Sequence, residues 1–359
     1  MVPFSLYLSL LSRKERVAFI MTIKDIAELS GFSKSTVSRV LNNSPKVDKK
    51  TREIILKIVN EQNFIPSAMA QGLSKQEANV IGVIIPEAGG SFFGKIVQGI
   101  HKELLNTTYT LMLCCTDNTA EYELKALDTL RQQRVSGILL TTSSGFYKNA
   151  DASKIRQILD QSLIPTVLID RVIENSMWDG VYSDNKSGAY QITQALVQKN
   201  FKKIGAFISD MNLSIGQERY DGFINALQDN NIPINKNIII TEPLQATIKD
   251  VYQTTCIMIE NGNLPDAIFL SNEIIANGFF KAILEKGICP GKDIHCAGFD
   301  YSEILDILNL PFTYLERNTE LFGKTAVKLL LNSFNSSHET RNECIIPSKL
   351  HLDTSLQNL

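Results

Sequence analysis

Between Ser33 and Asn42 the chain sets Ser33, Lys34, Ser35, Thr36, Ser38, Arg39 and Asn42 within ten residues. Small hydroxyl, amide and basic side chains at that density can reach base edges and phosphate oxygens, provided one helix carries them. A second set is scattered along the chain: Asp170, Arg219, Asn272 and Asp300, with Ser91 and Phe92 far upstream. Two carboxylates with an arginine and an amide suit vicinal hydroxyls, since each can make paired hydrogen bonds. Ser91 adds a hydroxyl and Phe92 an aromatic face. There is no nucleophile elbow, no phosphate-binding loop, no G-x-G-x-x-G after a first strand and no metal-ligand spacing. The four histidines lie outside any such motif. The chemistry on offer is binding rather than catalysis, with no cofactor or metal implied.

The elements that would carry the first set are short helices. Thr22 can cap a helix with Asp25 three residues on, and Ile23, Ile26, Ala27 and Leu29 give it an apolar stripe. Gly31 supplies a left-handed turn, and Ser33 caps a second helix. Val37, Val40 and Leu41 face inward at i, i+3, i+4, which leaves Lys34, Ser35, Ser38, Arg39 and Asn42 outside. Asp48 starts a third helix whose expected buried side is Ile54, Ile55, Ile58 and Val59. Two helices around a glycine turn, backed by a third, read as a helix-turn-helix whose second helix enters a major groove.

The second set sits at the ends of apolar runs. Val80–Pro86, Tyr109–Cys115, Gly137–Thr141 and Pro165–Asp170 read as strands buried on both faces. Ile204–Ser209, Ile238–Thr241, Asp266–Ser271 and His295–Asp300 form a second series, and helical patterns intervene in both. This alternation predicts an α/β fold of two doubly wound parallel lobes, with ligands outside the carboxyl ends of the strands. The reading by residues is a 1–20 extension, a 21–65 headpiece, a 66–78 hinge and linker, and a 79–359 core. Lobe 1 is expected over about 79–182 plus 310–340, and lobe 2 over 183–309 plus 341–359. The chain would cross near Tyr182–Ser187 and Asn309–Asn318.

The 359 residues exceed one ordinary domain. Residues 21–80 hold nine Lys/Arg against six Asp/Glu, while the whole chain has a formal charge of −2. A basic headpiece on an acidic body confines phosphate attraction to one end, and two copies on a palindrome would reinforce it. Six scattered cysteines without a C-x-x-C read as cytosolic thiols. The apolar run in residues 1–11 precedes its positive charges, the wrong order for a signal peptide, and is too short to span a bilayer. Met21 is the expected start and residues 1–20 an unstructured or misassigned extension.

The ordered motifs T-I-K-D-I-A from Thr22, S-K-S-T-V-S-R-V-L-N from Ser33, Asn63-Phe-Ile-Pro66 and Ser67-Ala-Met-Ala-Gln-Gly-Leu73 closely resemble the headpiece of the lactose-repressor (LacI/GalR) family of bacterial transcription regulators. The resemblance continues from there through the rest of the chain. It implies a cytoplasmic, operator-binding repressor, a homodimer or dimer of dimers on palindromic DNA. Lys34, Ser35 and Arg39 would contact bases. Thr22, Thr36, Ser38 and Asn42 would hold phosphates, with Lys24, Ser33 and Ala70 also at the DNA. In that family a short helix after the proline forms on the operator, and its leucine, matched by Leu73, wedges into the minor groove. A segment that short is unstable alone, and Gly72 weakens it further.

The resemblance also implies a core related to periplasmic sugar-binding proteins. Positions matching Asp170, Arg219, Asn272 and Asp300 commonly bind the effector there, and Phe92 matches an aromatic that can stack on it. A sugar or sugar derivative is the leading effector class and a nucleobase the second. Where many members read N-P-F-F, this chain reads Gly90-Ser-Phe-Phe93, and Gln217 stands where some carry a second arginine. An effector needing two arginines on that side is therefore disfavoured. The alternative is a regulator gated by a phosphorylated carrier protein, as in some members.

Overall fold

A computed structural model describes residues 21–41, 44–62, 64, 78–143, 150–173, 175–334 and 341–353. The expected extension 1–20, most of the hinge and linker 66–78, and the candidates Asn42, Ala70 and Leu73 lie outside the described residues. The chain divides into two units, residues 1–78 and 79–359.

In the first unit α1 spans Ile23–Ser30, α2 Lys34–Leu41 and α3 Lys49–Glu61. Each begins as its local sequence dictates. The Asp25 carboxylate accepts from the Thr22 backbone N–H at 2.6 Å and its hydroxyl at 2.8 Å. Gly31 ends α1 at φ 70°, and Asp48 caps α3 by accepting from the Thr51 N–H at 2.9 Å. Ile26, Ala27, Val37, Val40, Ile55, Val59 and Phe64 form the shared core. Two expected core members turn outward. Leu29 is 55% and Ile54 40% exposed, because a 3.6-residue period centred on Ile26 and Ile55 leaves them on the flank of the buried stripe.

The second unit holds two sheets of matching topology. The first contains β1 (Ala78–Ile85), β2 (Thr110–Cys115), β3 (Val135–Leu140), β4 (Thr166–Ile169), β5 (Asp179–Ser183) and β11 (Glu343–Ile346). Their order is β11-β5-β4-β3-β1-β2. The second contains β6 (Ile204–Ile208), β7 (Ile239–Thr241), β8 (Ala267–Leu270), β9 (His295–Phe299), β10 (Thr313–Arg317) and β12 (Ser348–His351), ordered β12-β10-β9-β8-β6-β7. Antiparallel pairing of β12 with β10 breaks the otherwise parallel pattern. Helices cover both faces. On β1, Ile81, Val83 and Ile85 enter one core with Ile96, Phe322 and Val327, while Ile84 enters the opposite core with Leu127, Leu130 and Ile155. Two-sided burial is why the inner strands read as continuous apolar runs, whereas β2 and β7, also expected to be buried on both faces, are partly exposed because they lie at the sheet edges.

The lobe boundaries differ from the sequence reading. β10 belongs to lobe 2, although 310–340 was expected in lobe 1, and β11 belongs to lobe 1, although 341–359 was expected in lobe 2. The chain therefore crosses three times, at Ser183–Asn185, Arg317–Thr319 and Ile346–Ser348. Strands of four or five residues with polar alternation carry no apolar run, so only sheet pairing fixes their lobe.

Lobe 1 has one very close helix contact. α4 (Ser91–Leu104) packs on α12 (Thr319–Ser333). A Cβ on Gly323 would lie 2.3 Å from the Ile96 carbonyl oxygen and 2.6 Å from the Ile100 nitrogen. Backbone cannot yield there as a side-chain tip can. Gly323→Ala is expected to cost about 1–3 kcal/mol in a denaturant titration of the intact chain, and an unchanged midpoint would contradict this packing.

Candidate functional site

On the headpiece, α2 presents the candidate contacts on one side. Val37 and Val40 are buried, and Lys34, Ser35 and Arg39 are exposed, with Thr36 and Ser38 half-buried between them. The Ser33 hydroxyl lies 2.8 Å from that of Ser35 and 2.9 Å from that of Thr36, and accepts from the Thr36 N–H. These hydroxyls thus form one local network at the start of α2. Arg52 of α3 donates to the Ser44 carbonyl oxygen at 2.5 Å, tying down the segment after α2. Lys24 is exposed and 3.8 Å from Glu28, and Thr22 is engaged in its cap.

In the core, both sheets aim their carboxyl ends at one interlobe cavity of about 120 Å³. Phe92, Asp170, Arg219, Asn272 and Asp300 all line it, and Ser91 lines a neighbouring cavity while bonding to Glu273 of this wall. Six residues spread over 210 positions are thus brought together. Their neighbours decide what each can do. Asp170 follows β4 and Asp300 follows β9, the fourth strand of each lobe. Both adopt left-handed backbone, at φ 66° and 80°, and each donates its N–H to the adjacent fifth strand, at Val181 and Leu315. The two carboxylates therefore occupy equivalent places in the two lobes.

Arg317 lies between them. Its Nη1 donates to Asp170 Oδ1 at 2.8 Å and its Nε to Asp300 Oδ1 at 2.7 Å, and Nη2 is 2.6 Å from the same Asp300 oxygen. All three side chains are close to fully buried. The guanidinium carbon also sits 3.5 Å above the Phe92 ring. The aspartates named from sequence are thus paired to an arginine, and Phe92 has a covered face.

Arg219 is buried beneath the cavity. Its Nε donates to Asn185 Oδ1 at 3.0 Å, its Nη1 donates to the Ser271 carbonyl oxygen, and it stacks 3.9 Å over Phe299. Burial lowers its pKa to about 10, with the nearby Arg317 charge acting in the same direction. Asn272 caps α10 (Glu273–Glu285), accepting from the Ile275 N–H at 2.8 Å. Ser91 donates across the lobes to Glu273 Oε2 at 2.5 Å.

Sequence reasoning missed Arg317, Arg171, Asn118, Ser209 and Glu242, which line the same cavity. Arg171 donates to Asn118 Oδ1 at 2.8 Å and to the Thr142 carbonyl oxygen at 2.9 Å, and burial lowers its pKa. A signal existed for four of them. Asn118, Arg171, Ser209 and Glu242 each stand one to three residues beyond a strand, where α/β sheets place ligand groups. Among the described residues no cluster of His, Cys, Asp or Glu could hold a metal, and no helix is long and apolar enough to cross a membrane.

Removing Arg317 would leave two buried carboxylates facing one another without their shared ion-pair partner. Arg317→Met is expected to destabilise the core by about 3–5 kcal/mol, and Asp170→Asn with Asp300→Asn in that background to recover much of the loss. Calorimetric melts of the three proteins check this, and an unchanged melt for Arg317→Met would refute the pairing.

Known proteins match along the whole described chain. A family model of bacterial regulatory proteins, lacI family, matches residues 22–67, and one of periplasmic binding proteins and the sugar binding domain of the LacI family matches residues 78–354. The HTH-type transcriptional repressor PurR of Vibrio atlanticus is 30% identical over 322 residues, covering 89% of this chain and 94% of that protein. PurR of Pasteurella multocida is 28% identical over 320 residues, with the same coverage. A LacI-family transcriptional regulator from Silicibacter pomeroyi superposes with a TM-score of 0.76 at 26% identity, covering 94% of this chain and 99% of the other. The Lac repressor dimer bound to operator and the anti-inducer ONPF shares the fold, with a TM-score of 0.79 at 24% identity and the same coverage. With a family model over more than half its length and a helix-turn-helix at its start, the chain belongs to the LacI family and is a DNA-binding transcriptional repressor.

Proposed function

We propose that operator affinity is set by a small hydroxylated molecule of monosaccharide size held between the two lobes, and that paired copies engage a palindromic operator. One observation carries the ligand reading. Arg171 Nε, Ser209 Oγ and Glu242 Oε1 are buried without a hydrogen-bond partner, and all three residues line the interlobe cavity. Each such atom costs about 1–3 kcal/mol when left unmade. A ligand bearing several hydroxyls can accept from the arginine, donate to the carboxylate and exchange a bond with the serine. A cavity of about 120 Å³, at roughly 10–15 Å³ per water-sized site, suits a hexose rather than an oligosaccharide.

A flat nucleobase finds less support. It gains most from a free aromatic face, and the Phe92 face is taken by Arg317. A core gated only by a carrier protein would have no use for orphaned polar atoms in the cleft.

The ligand would add contacts from both lobes and so favour one lobe orientation. Its effect on DNA can be no larger than its differential affinity for the two orientations. On the headpiece, Lys34, Ser35 and Arg39 are the candidates for base contact. The similarity to an operator-bound Lac repressor dimer supports two copies per site.

Two measurements test this reading. Arg39→Ala should cost about 1–3 kcal/mol on operator and relax specificity at one base pair, and an equal loss on random DNA would refute base contact. Thermal unfolding of the whole chain against hexoses, hexosamines, sugar acids, sugar phosphates and nucleobases should show a hit among the sugars. A ligand at a hundredfold its dissociation constant adds about 2.7 kcal/mol. A hit confined to nucleobases, or none at all, would overturn the ligand class.

A further inference from the structure

We infer that Glu242 reads the charge of the effector: the ligand presents a hydroxyl or ammonium donor to its free carboxylate oxygen, and sugar acids and sugar phosphates are excluded. The inference rests on the ligand reading above and specifies it.

Glu242 stands just beyond β7, and its N–H donates to the Ile208 carbonyl oxygen at 2.8 Å. Its backbone is therefore locked to the sheet, and the residue is 7% exposed. One side of the carboxyl is met by the Thr254 hydroxyl, but Oε1 has no partner. Burial raises the pKa of this carboxyl, with the Asp250 charge adding to the effect. The protein has thus placed a carboxylate in an unfavourable setting and left half of it unbonded. Ser209, at the end of neighbouring β6, is unbonded in the same way. The two leave a carboxylate acceptor and a hydroxyl, which can donate or accept, unbonded on lobe 2.

The charge of the wall points the same way. Asp170, Arg317 and Asp300 already make a set with one excess negative charge. The remaining wall sets Glu87, Glu242 and Glu273 against Arg171 and Arg219. Both of those guanidiniums are partly engaged by neutral acceptors, Arg171 by Asn118 and Thr142, and Arg219 by Asn185 and Ser271. The buried Nε–H of Arg171 can hold a ligand oxygen. It cannot offset an anion placed in a desolvated wall with two more carboxylates than guanidiniums, where like charges repel strongly. A neutral polyol meets no such penalty, and an amino sugar gains from it.

The test is titration calorimetry of the full-length protein with aldohexoses, the matching 2-amino sugars, hexonates and hexose 6-phosphates. The expected ranking puts a neutral or amino sugar first, with its acid and phosphate at least tenfold weaker. Glu242→Gln should weaken the preferred sugar by about tenfold or more, the range of a hydrogen bond to a charged group, and should narrow the gap to the anionic analogues. Ser209→Ala, which removes a hydroxyl and no charge, should weaken all of them together. A sugar acid or phosphate binding the wild-type protein better than its neutral parent would overturn the inference and leave the ligand reading standing. Equal changes in discrimination for Glu242→Gln and Ser209→Ala would also overturn it. No binding by any probe would overturn the ligand reading itself.

Discussion

Arg317 bridges the two lobes through a carboxylate from each, and the site is arranged around that bond. Asp170 belongs to lobe 1 and Asp300 to lobe 2. Each carboxylate would be costly when buried alone, and so would the guanidinium. Together they leave one excess charge in a shared desolvated space, with the cation also resting on Phe92. The geometry is fixed on all sides. Both aspartates are held in left-handed backbone by hydrogen bonds to a neighbouring strand, and Arg317 ends β10 at one of the three crossovers.

That arrangement divides the cavity wall by task. Arg317 takes up one oxygen of each of Asp170 and Asp300 and so bridges the lobes. Arg219 and Asn272 are partly engaged, the first by Asn185 and Ser271 and the second through its Oδ1 as a helix cap. The fully buried groups without a partner, on Arg171, Ser209 and Glu242, belong to strand ends on both sides of the cleft. A ligand recognised by them would be gripped by both lobes without displacing the ion pairs. Closure would then depend on a few directional bonds, and the fixed ion pairs would keep the two faces in register. Additional lobe-to-lobe bonds, from Ser91 to Glu273 and from Gln245 to the Asn118 carbonyl oxygen, lie around the same space.

Much of the fold was legible because it is written in local patterns. Asp25, Gly31, Ser33 and Asp48 each act within four residues of where they stand, so caps and turns of the headpiece follow from sequence. Strands buried on both faces announce themselves as apolar runs. β5, β10, β11 and β12 do not: they are short, mix polar with apolar residues, and sit toward the outer edge of their sheets. Their assignment to lobes, and the third crossover, could not be read from periodicity.

The sequence by itself determined the helix-turn-helix, the two α/β series, the family, and the rule that ligand groups gather at strand ends. Only the tertiary structure decided what those groups do. Asp170 and Arg317 are 147 residues apart, and no local pattern tells an aspartate awaiting a hydroxyl from one already paired to an arginine. That distinction depends on sheet order, which brings β4, β9 and β10 to one point, and on burial, which makes every polar atom there find a partner or remain costly. Propensity is a property of neighbours along the chain. Satisfaction of buried charge is a property of neighbours in space.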